Sequence, residues 1–261
     1  MFYDRRPDGL PLVSAHRGGP EATNAPNSLD AVRAATALGV DLVEFDVRVT
    51  ADGRFVTWHD HAAWVEGKLV PVENLTYAQL RLYAPDAVDV KEVLNLLRGR
   101  ARAHVDMKDA RLEIELADLC EHVLGVDGFV LTTLQEESVR KVREARPHLH
   151  VALSLGRGMH GMPWWKVLAI AYGDLRPGRR VKHCNPTALA MNYRVSRALT
   201  LRWAHHHGFP VLVWTINRAK MMRKVARDPR YWAFTTDNPR LAFEVLRDEG
   251  RTKRRWRRHA R

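Results

Sequence analysis

Cysteine is nearly absent from this chain: only Cys120 and Cys184 occur in 261 residues, far apart and without a neighbouring CxxC-type partner. That excludes a disulfide framework and offers no zinc-site spacing, so both are expected as reduced thiols in a core. No apolar run approaches the roughly 20 residues that a membrane span needs. The N-terminal stretch MFYDRRPDGLPLVSAHRGG lacks the apolar segment of a signal peptide. Neither GxGxxG nor GxxxxGK[ST] follows the first apolar run, which counts against glycine loops that cradle nucleotide phosphates. Internal repeats are also missing. A cytoplasmic protein is the expectation.

What is present is an ordinary globular composition, 46% hydrophobic and 28% charged. It suffices for one large α/β core or two small ones. The net charge of +12 is uneven, because the last eleven residues, RTKRRWRRHAR, hold seven Lys/Arg and leave +5 for the other 250. Residues 251–261 therefore read as a basic, disordered tail behind a domain spanning 1–250. An inert, solvated tail is one reading. Peripheral contact with an anionic membrane is the other, with Trp256 as an interfacial side chain, while nucleic acid is not the expected partner.

Apolar, β-branched runs alternate with helical patterns along the chain. Strands are expected at 12–15, 42–49, 55–59, 103–107, 128–131, 151–155, 210–216 and 232–235. Helices are expected at 28–38, 76–83, 90–97, 112–124, 136–145, 196–207 and 239–246, the first capped by Asn27 or Ser28 and closed by Gly39. Alternating strands and amphipathic helices imply βαβ units. About eight strands in this length fit a (β/α)8 barrel, with a doubly wound sheet as the competitor. The Trp-rich stretch 159–173, MHGMPWWKVLAIAYG, suits a buried helix or an interfacial patch that admits lipid.

The stretch VEFDVRVTADGRFVTWHDH, residues 43–61, carries the chemistry. Strand alternation puts Glu44 and Asp46 on one face, ~7 Å apart at Cα. Asp52-Gly53 then turns the chain back toward His59. An antiparallel ribbon with one wet face would explain this segment alone. In a parallel barrel, however, active groups collect at the C-terminal strand ends. Those ends carry His16-Arg17-Gly18, Glu44 and Asp46, His59-Asp60, Asp106 and Lys108, Trp214, and Thr236-Asp237. Their joint placement suits a catalytic or anion-binding site better than a stabilising one.

SAHRGG, APNSLDAVRAATALGVDLVEFDVRVTADGRFVTWHDH, AHVDMK, GFPVLVWTIN and WAFTTDNP together resemble the glycerophosphodiester phosphodiesterase family. The resemblance implies a TIM barrel with a small insertion after the second strand, at 47–75. It implies a phosphodiesterase that cuts glycerophosphodiesters to glycerol 3-phosphate and an alcohol, or cuts related lysophospholipids. His16 and His59 would exchange protons as general base and acid, in either order. Arg17 and Lys108 would hold the phosphate, and Trp214 would wall the pocket. Glu44, Asp46 and Asp106 offer only carboxylate oxygens, which suits a hard divalent cation, Mg2+ or Ca2+. Two departures stand out. The family's Pro-Glu-Asn-Thr acid falls on Pro26, with Glu21, Asn24 or Asn27 left to fill its role, and Asp106 is one methylene shorter than the family's Glu. The rival reading is a non-catalytic barrel that binds phosphodiesters or anionic membranes.

Overall fold

Alternation along the strands decides this architecture, because the two faces of every strand are occupied by different chemistry. The computed structural model describes residues 2–19, 25–156, 163, 165, 172–174, 176–196 and 199–259. Among them, eight parallel strands close a ring in the order β1 (Leu12–Ala15), β2 (Leu42–Val49), β6 (Arg102–Met107), β7 (Phe129–Thr133), β8 (Val151–Leu155), β9 (Ala188–Asn192), β10 (Val211–Trp214) and β11 (Tyr231–Thr236). The ring closes where β11 pairs with β1, from Leu12 opposite Ala233 to Ala15 opposite Thr236. The chain is a (β/α)8 barrel, as the alternation implies.

Outward-facing Val13, Val43, Phe45, Val105, Leu131 and Leu153 pack against Val32, Val93, Leu94, Leu97 and Leu116 of the surrounding helices. The inward row changes character along the barrel axis. At the N-terminal ends of the strands it is apolar, with Leu12, Leu42, Val130, Ala152, Leu212 and Trp232 in one cluster. Phe2 and Tyr3 pack there against Trp232 and against His150, and close the bottom. Two residues further along each strand the same row reads Ser14, Glu44, Thr132 and Ser154, all buried. The polar end is therefore the C-terminal mouth.

The expected insertion follows β2. Thr50–Arg54 turns the chain, and β3 (Phe55–Thr57) pairs antiparallel with β2. The hairpin of β4 (Ala62–Val65) and β5 (Lys68–Pro71) comes next, then the helix Tyr77–Tyr83 with its Thr76/Gln79 capping box. Val56, Ala63, Val72, Leu75, Leu80, Ala84 and Ala87 form a separate small core there. The insertion thus extends beyond residue 75.

One expected barrel strand was misplaced and one was missed. The run 55–59 is the antiparallel β3, outside the ring, and β9 fills the eighth position. Ala188–Asn192 reads ALAMN, residues that favour helices, so burial on both faces and not propensity makes it a strand. Helices 90–97 and 136–145 stand as expected, and Ser28 and Gly39 cap Leu29–Leu38. The helices Gly178–Cys184 and Ala219–Arg227 were not anticipated. The last helix runs Pro239–His259, past the expected end at 246, and the side chains of 252–261 lie outside the described residues. Most of 159–173 also lies outside them, though Trp165 and Tyr172 are exposed. No helix among the described residues is long and apolar enough to cross a membrane. Cys120 and Cys184 are buried and unpaired, as expected.

The turn that follows β1 packs closely on the first helix. Gly18 sits at φ +82, and a Cβ there would lie 2.7 Å from Ala31 Cβ and 2.8 Å from its carbonyl carbon. Gly18→Ala should cost about 2–4 kcal/mol, from left-handed strain plus a clash with main chain. Urea unfolding of the folded variant measures it, and a loss under 1 kcal/mol would contradict this account of the turn.

Candidate active site

The C-terminal mouth holds a cavity of about 320 Å3. His16, Arg17, Glu44, Asp46, His59, Asp106, Lys108 and Trp214 all line it, so every residue expected from the sequence meets in one place. Strand register brings them together. β2 and β6 pair with Glu44 opposite His104 and Asp46 opposite Asp106. Carboxylate oxygens of Glu44, Asp46 and Asp106 consequently lie within 4.8 Å of one another.

Cations and amides answer that negative charge unequally. Lys108 Nζ is 2.8 Å from Asp46 Oδ1 and also donates to Asp106. Arg17 Nε is 3.0 Å from Asp46 Oδ2, an ion pair without hydrogen-bond alignment. Burial alone would raise the Asp46 pKa, but Lys108, Arg17 and the Asn27 amide hold it below the ordinary carboxylate value. Among the described residues, Glu44 contacts only the Arg17 backbone N–H, at 2.7 Å, and the His16 ring, whose Nε2 is 4.0 Å away. Burial, then the charge on Asp46, pushes Glu44 up to about 7. Burial opposes the Lys108 charge, yet Asp106 and Asp46 prevail and raise its pKa.

The two histidines are held differently. His16 Nδ1 bonds Asp237 Oδ1 at 2.5 Å, which leaves Nε2 toward Glu44. Asn217 braces Asp237 by donating to its other oxygen and accepting its backbone N–H at 2.9 Å. Burial would lower the His16 pKa, but Glu44 and Asp237 outweigh it and raise it. His59 Nδ1 bonds Asp60 Oδ1 at 2.8 Å, with 43% of the His59 side chain and 74% of the Asp60 side chain exposed. Asp237 and Asn217 had no role assigned from sequence. Thr236-Asp237 at a strand end was the available signal, but nothing in the sequence pairs it with His16, 221 positions away.

His104 and Asn27 support the carboxylates from behind. Thr132 Oγ1 donates to Asp106 Oδ1 at 3.0 Å, so it accepts from His104 Nε2 at 3.2 Å. That fixes the Nε2–H tautomer and leaves Nδ1 to accept from Ser14 Oγ at 3.0 Å. Burial drives the His104 pKa down to about 3, so the ring is neutral. Asn27, buried at φ 66, donates through Nδ2 to Asp46 Oδ2 at 2.9 Å and accepts the Asp46 backbone N–H at 3.1 Å. It therefore takes up contact with the carboxylates beside Pro26. Glu21 and Asn24, the other two residues considered for that role, lie outside the described residues.

Three hard oxygen donors, one of them made harder to ionise by burial and then by its acidic neighbours, fit a divalent cation of the Mg2+ or Ca2+ type. Fold and site together define a class: a (β/α)8 barrel with an acidic cation cradle, two cationic side chains and two histidines at its mouth. A model of the glycerophosphoryl diester phosphodiesterase family matches residues 16–144, and the chain is similar to that family over that span. A glycerophosphodiester phosphodiesterase of Caldanaerobacter subterraneus is 22% identical over 92% of this chain and 99% of its own. Lysophospholipase D GDPD3 of Mus musculus is 23% identical over 94% of this chain and 81% of its own. The solved structure of an Oleispira antarctica phosphodiesterase, in complex with the product sn-glycerol-3-phosphate, shares the fold. Its TM-score is 0.71 at 17% identity, covering 91% of this chain and 98% of that one.

The charge balance makes stability depend on pH. Glu44 has a folded value near 7 against an ordinary 4.5, so folding favours its protonated form and stability falls as pH rises through that window. His16 is raised above 6.5, so its stabilisation is complete below that pH and is lost as pH climbs past its folded value. Both act in one direction. In EDTA, Tm should drop on the order of 5 °C between pH 5 and 8. Glu44→Gln should flatten the drop. Mg2+ or Ca2+ at pH 8 should restore Tm in the parent but not in Glu44→Gln. A flat parent profile would refute the imbalance.

Proposed function

We propose that this chain hydrolyses glycerophosphodiesters, or lysophospholipids, with the help of a divalent cation. The observation that carries the reading is the convergence of His16, His59, Arg17 and Lys108 with the three carboxylates on one cavity. The names of the bacterial and mouse relatives and the glycerol phosphate in the Oleispira structure support the substrate class. Glu44, Asp46 and Asp106 would hold the cation, which when bound neutralises a phosphate oxygen and polarises the phosphorus.

The residues of this chain supply the rest. Arg17 and Lys108 are already within ion-pair distance of Asp46 and present N–H donors to a phosphodiester oxygen. One histidine takes the proton from the glycerol hydroxyl next to the ester, whose oxygen attacks phosphorus. The other gives its proton to the departing alcohol oxygen. Water then opens the cyclic phosphodiester with the two roles exchanged, which returns both rings to their starting states. Asp237 orients His16 so that Nε2, not Nδ1, meets substrate. Trp214 closes one wall against the glycerol. The basic segment 251–261 completes the proposal as the part that touches anionic membrane from a cytoplasmic location.

The test is release of free alcohol from glycerophosphocholine, glycerophosphoethanolamine and lysophosphatidylcholine, with EDTA, Mg2+ or Ca2+. Turnover should need the cation, and His16→Ala and His59→Ala should each fall at least about 100-fold while staying folded. Near-normal turnover in both variants, or no turnover by the folded parent on any substrate, would overturn the proposal. Asp237→Asn should lower turnover by about 10²-fold or more through the wrong His16 tautomer, a change visible in the pH profile of the variant.

A further inference from the structure

Arg48 follows Glu44 and Asp46 on the same face of β2, yet its guanidinium does not line the cavity. It is buried, 9% exposed, and its charge is committed elsewhere. Nε and Nη2 both donate to the His59 backbone oxygen, at 3.1 and 2.9 Å. Nη1 donates to Asp109 Oδ1 at 2.6 Å, and Asp109 Oδ2 accepts the Val49 N–H at 2.9 Å. The group thus ties together the end of β2, the segment just past β6, and the loop that carries His59.

His59 needs such an anchor. Its ring is half in solvent, and its one ring partner among the described contacts is the exposed Asp60. His16, by contrast, has Asp237 and Asn217 behind it. β3 ends at Thr57, and the Trp58 N–H reaches the Asp46 oxygen at 3.1 Å, so ladder support stops one residue before His59. A forked, charge-assisted contact to the carbonyl then fixes the peptide from which the ring projects. Misplacement of a reacting group by about 1 Å costs about 10²-fold in rate.

We propose that the Arg48–Asp109 pair is the positioning device for His59 and that it acts through the His59 backbone without touching substrate. The proposal rests on the phosphodiesterase reading for its kinetic arm only. Arg48→Lys keeps the cation but loses the fork, and should lower kcat on glycerophosphocholine about 10- to 100-fold, with KM changed less than about twofold. In a His59→Ala background the same substitution should cost less than about twofold, because there is no ring left to place. Independently of turnover, the His59 ring resonances, assigned with His59→Gln, should shift or broaden in Arg48→Lys while those of His16 stay put. Asp109→Asn should move the same His59 resonances and serves where Arg48→Lys does not fold. Equal rate losses in both backgrounds, or unmoved His59 resonances in a folded variant, would overturn the proposal. If the parent turns over no phosphodiester, the functional reading fails, and the ring resonances still decide this one.

Discussion

Three carboxylates packed within 4.8 Å at the mouth of a barrel set the terms for everything around them. Like charges at that range, largely removed from water, must gain compensating charge or take up protons. This chain does some of each. Asp46 is saturated by Lys108, Arg17 and Asn27, while Glu44 is left with one backbone N–H and a distant imidazole. The backbone nearby is shaped to make even these contacts. Arg17 adopts φ 51, which aims its N–H at Glu44, and Asn27 adopts φ 66, which lets its amide meet Asp46 at both ends. Each left-handed residue costs about 1–2 kcal/mol, which a buried charge-assisted bond offsets. A cation seated on the carboxylates would release Lys108 and Arg17 from Asp46. In the proposed mechanism those two are the side chains that would hold the phosphodiester.

The barrel tolerates so polar a mouth because several inward rows change character within two residues. Leu42 precedes Glu44 and Asp46, Leu12 precedes Ser14 and His16, and Val130 precedes Thr132. The apolar end, sealed by Phe2, Tyr3 and Trp232, carries the hydrophobic burial. The polar end is free to be electrostatically expensive. Function and stability thus occupy opposite ends of the same eight strands, and a substitution at one end leaves the packing at the other in place.

Much of this was legible in the residues. Period-two alternation in VEFDVRV put two acids on one face, and the strand-end rule collected the eight cavity residues without any contact information. What stayed hidden was of two kinds. ALAMN at 188–192 carries helix-favouring residues, and only burial between β8 and β10 makes it a strand, so local composition pointed the wrong way. FVT at 55–57 is β-rich but follows β2 through a short turn, and short turns join antiparallel neighbours, not barrel strands. The other hidden features are long-range pairs. Asp237 meets His16 only where β11 closes on β1, and His104 meets Thr132 and Arg48 meets Asp109 only once neighbouring parallel strands pair. No spacing within one segment encodes them.

Pro26 and Asp106, the two departures from the family pattern, fit the same constraint. A carboxylate at position 26 would bring a fourth negative charge toward a cluster in which Glu44 already resists ionisation. Pro26 brings none, and the neighbouring Asn27 grips Asp46 by side chain and backbone at once. The acidic cluster among the described residues is then defined by three acids. Asp106, shorter by one methylene, cannot reach as far and must be held from below. Ser14, His104 and Thr132 form that support, and the direction of each hydrogen bond follows from the last, since the Thr132 hydroxyl donates to Asp106. A neutral His104 is required, because a protonated ring would donate through both nitrogens and leave Ser14 no acceptor for its hydroxyl proton there. Burial that drives the His104 pKa to about 3 therefore keeps the whole relay in one polarity, and with it the position of the third carboxylate.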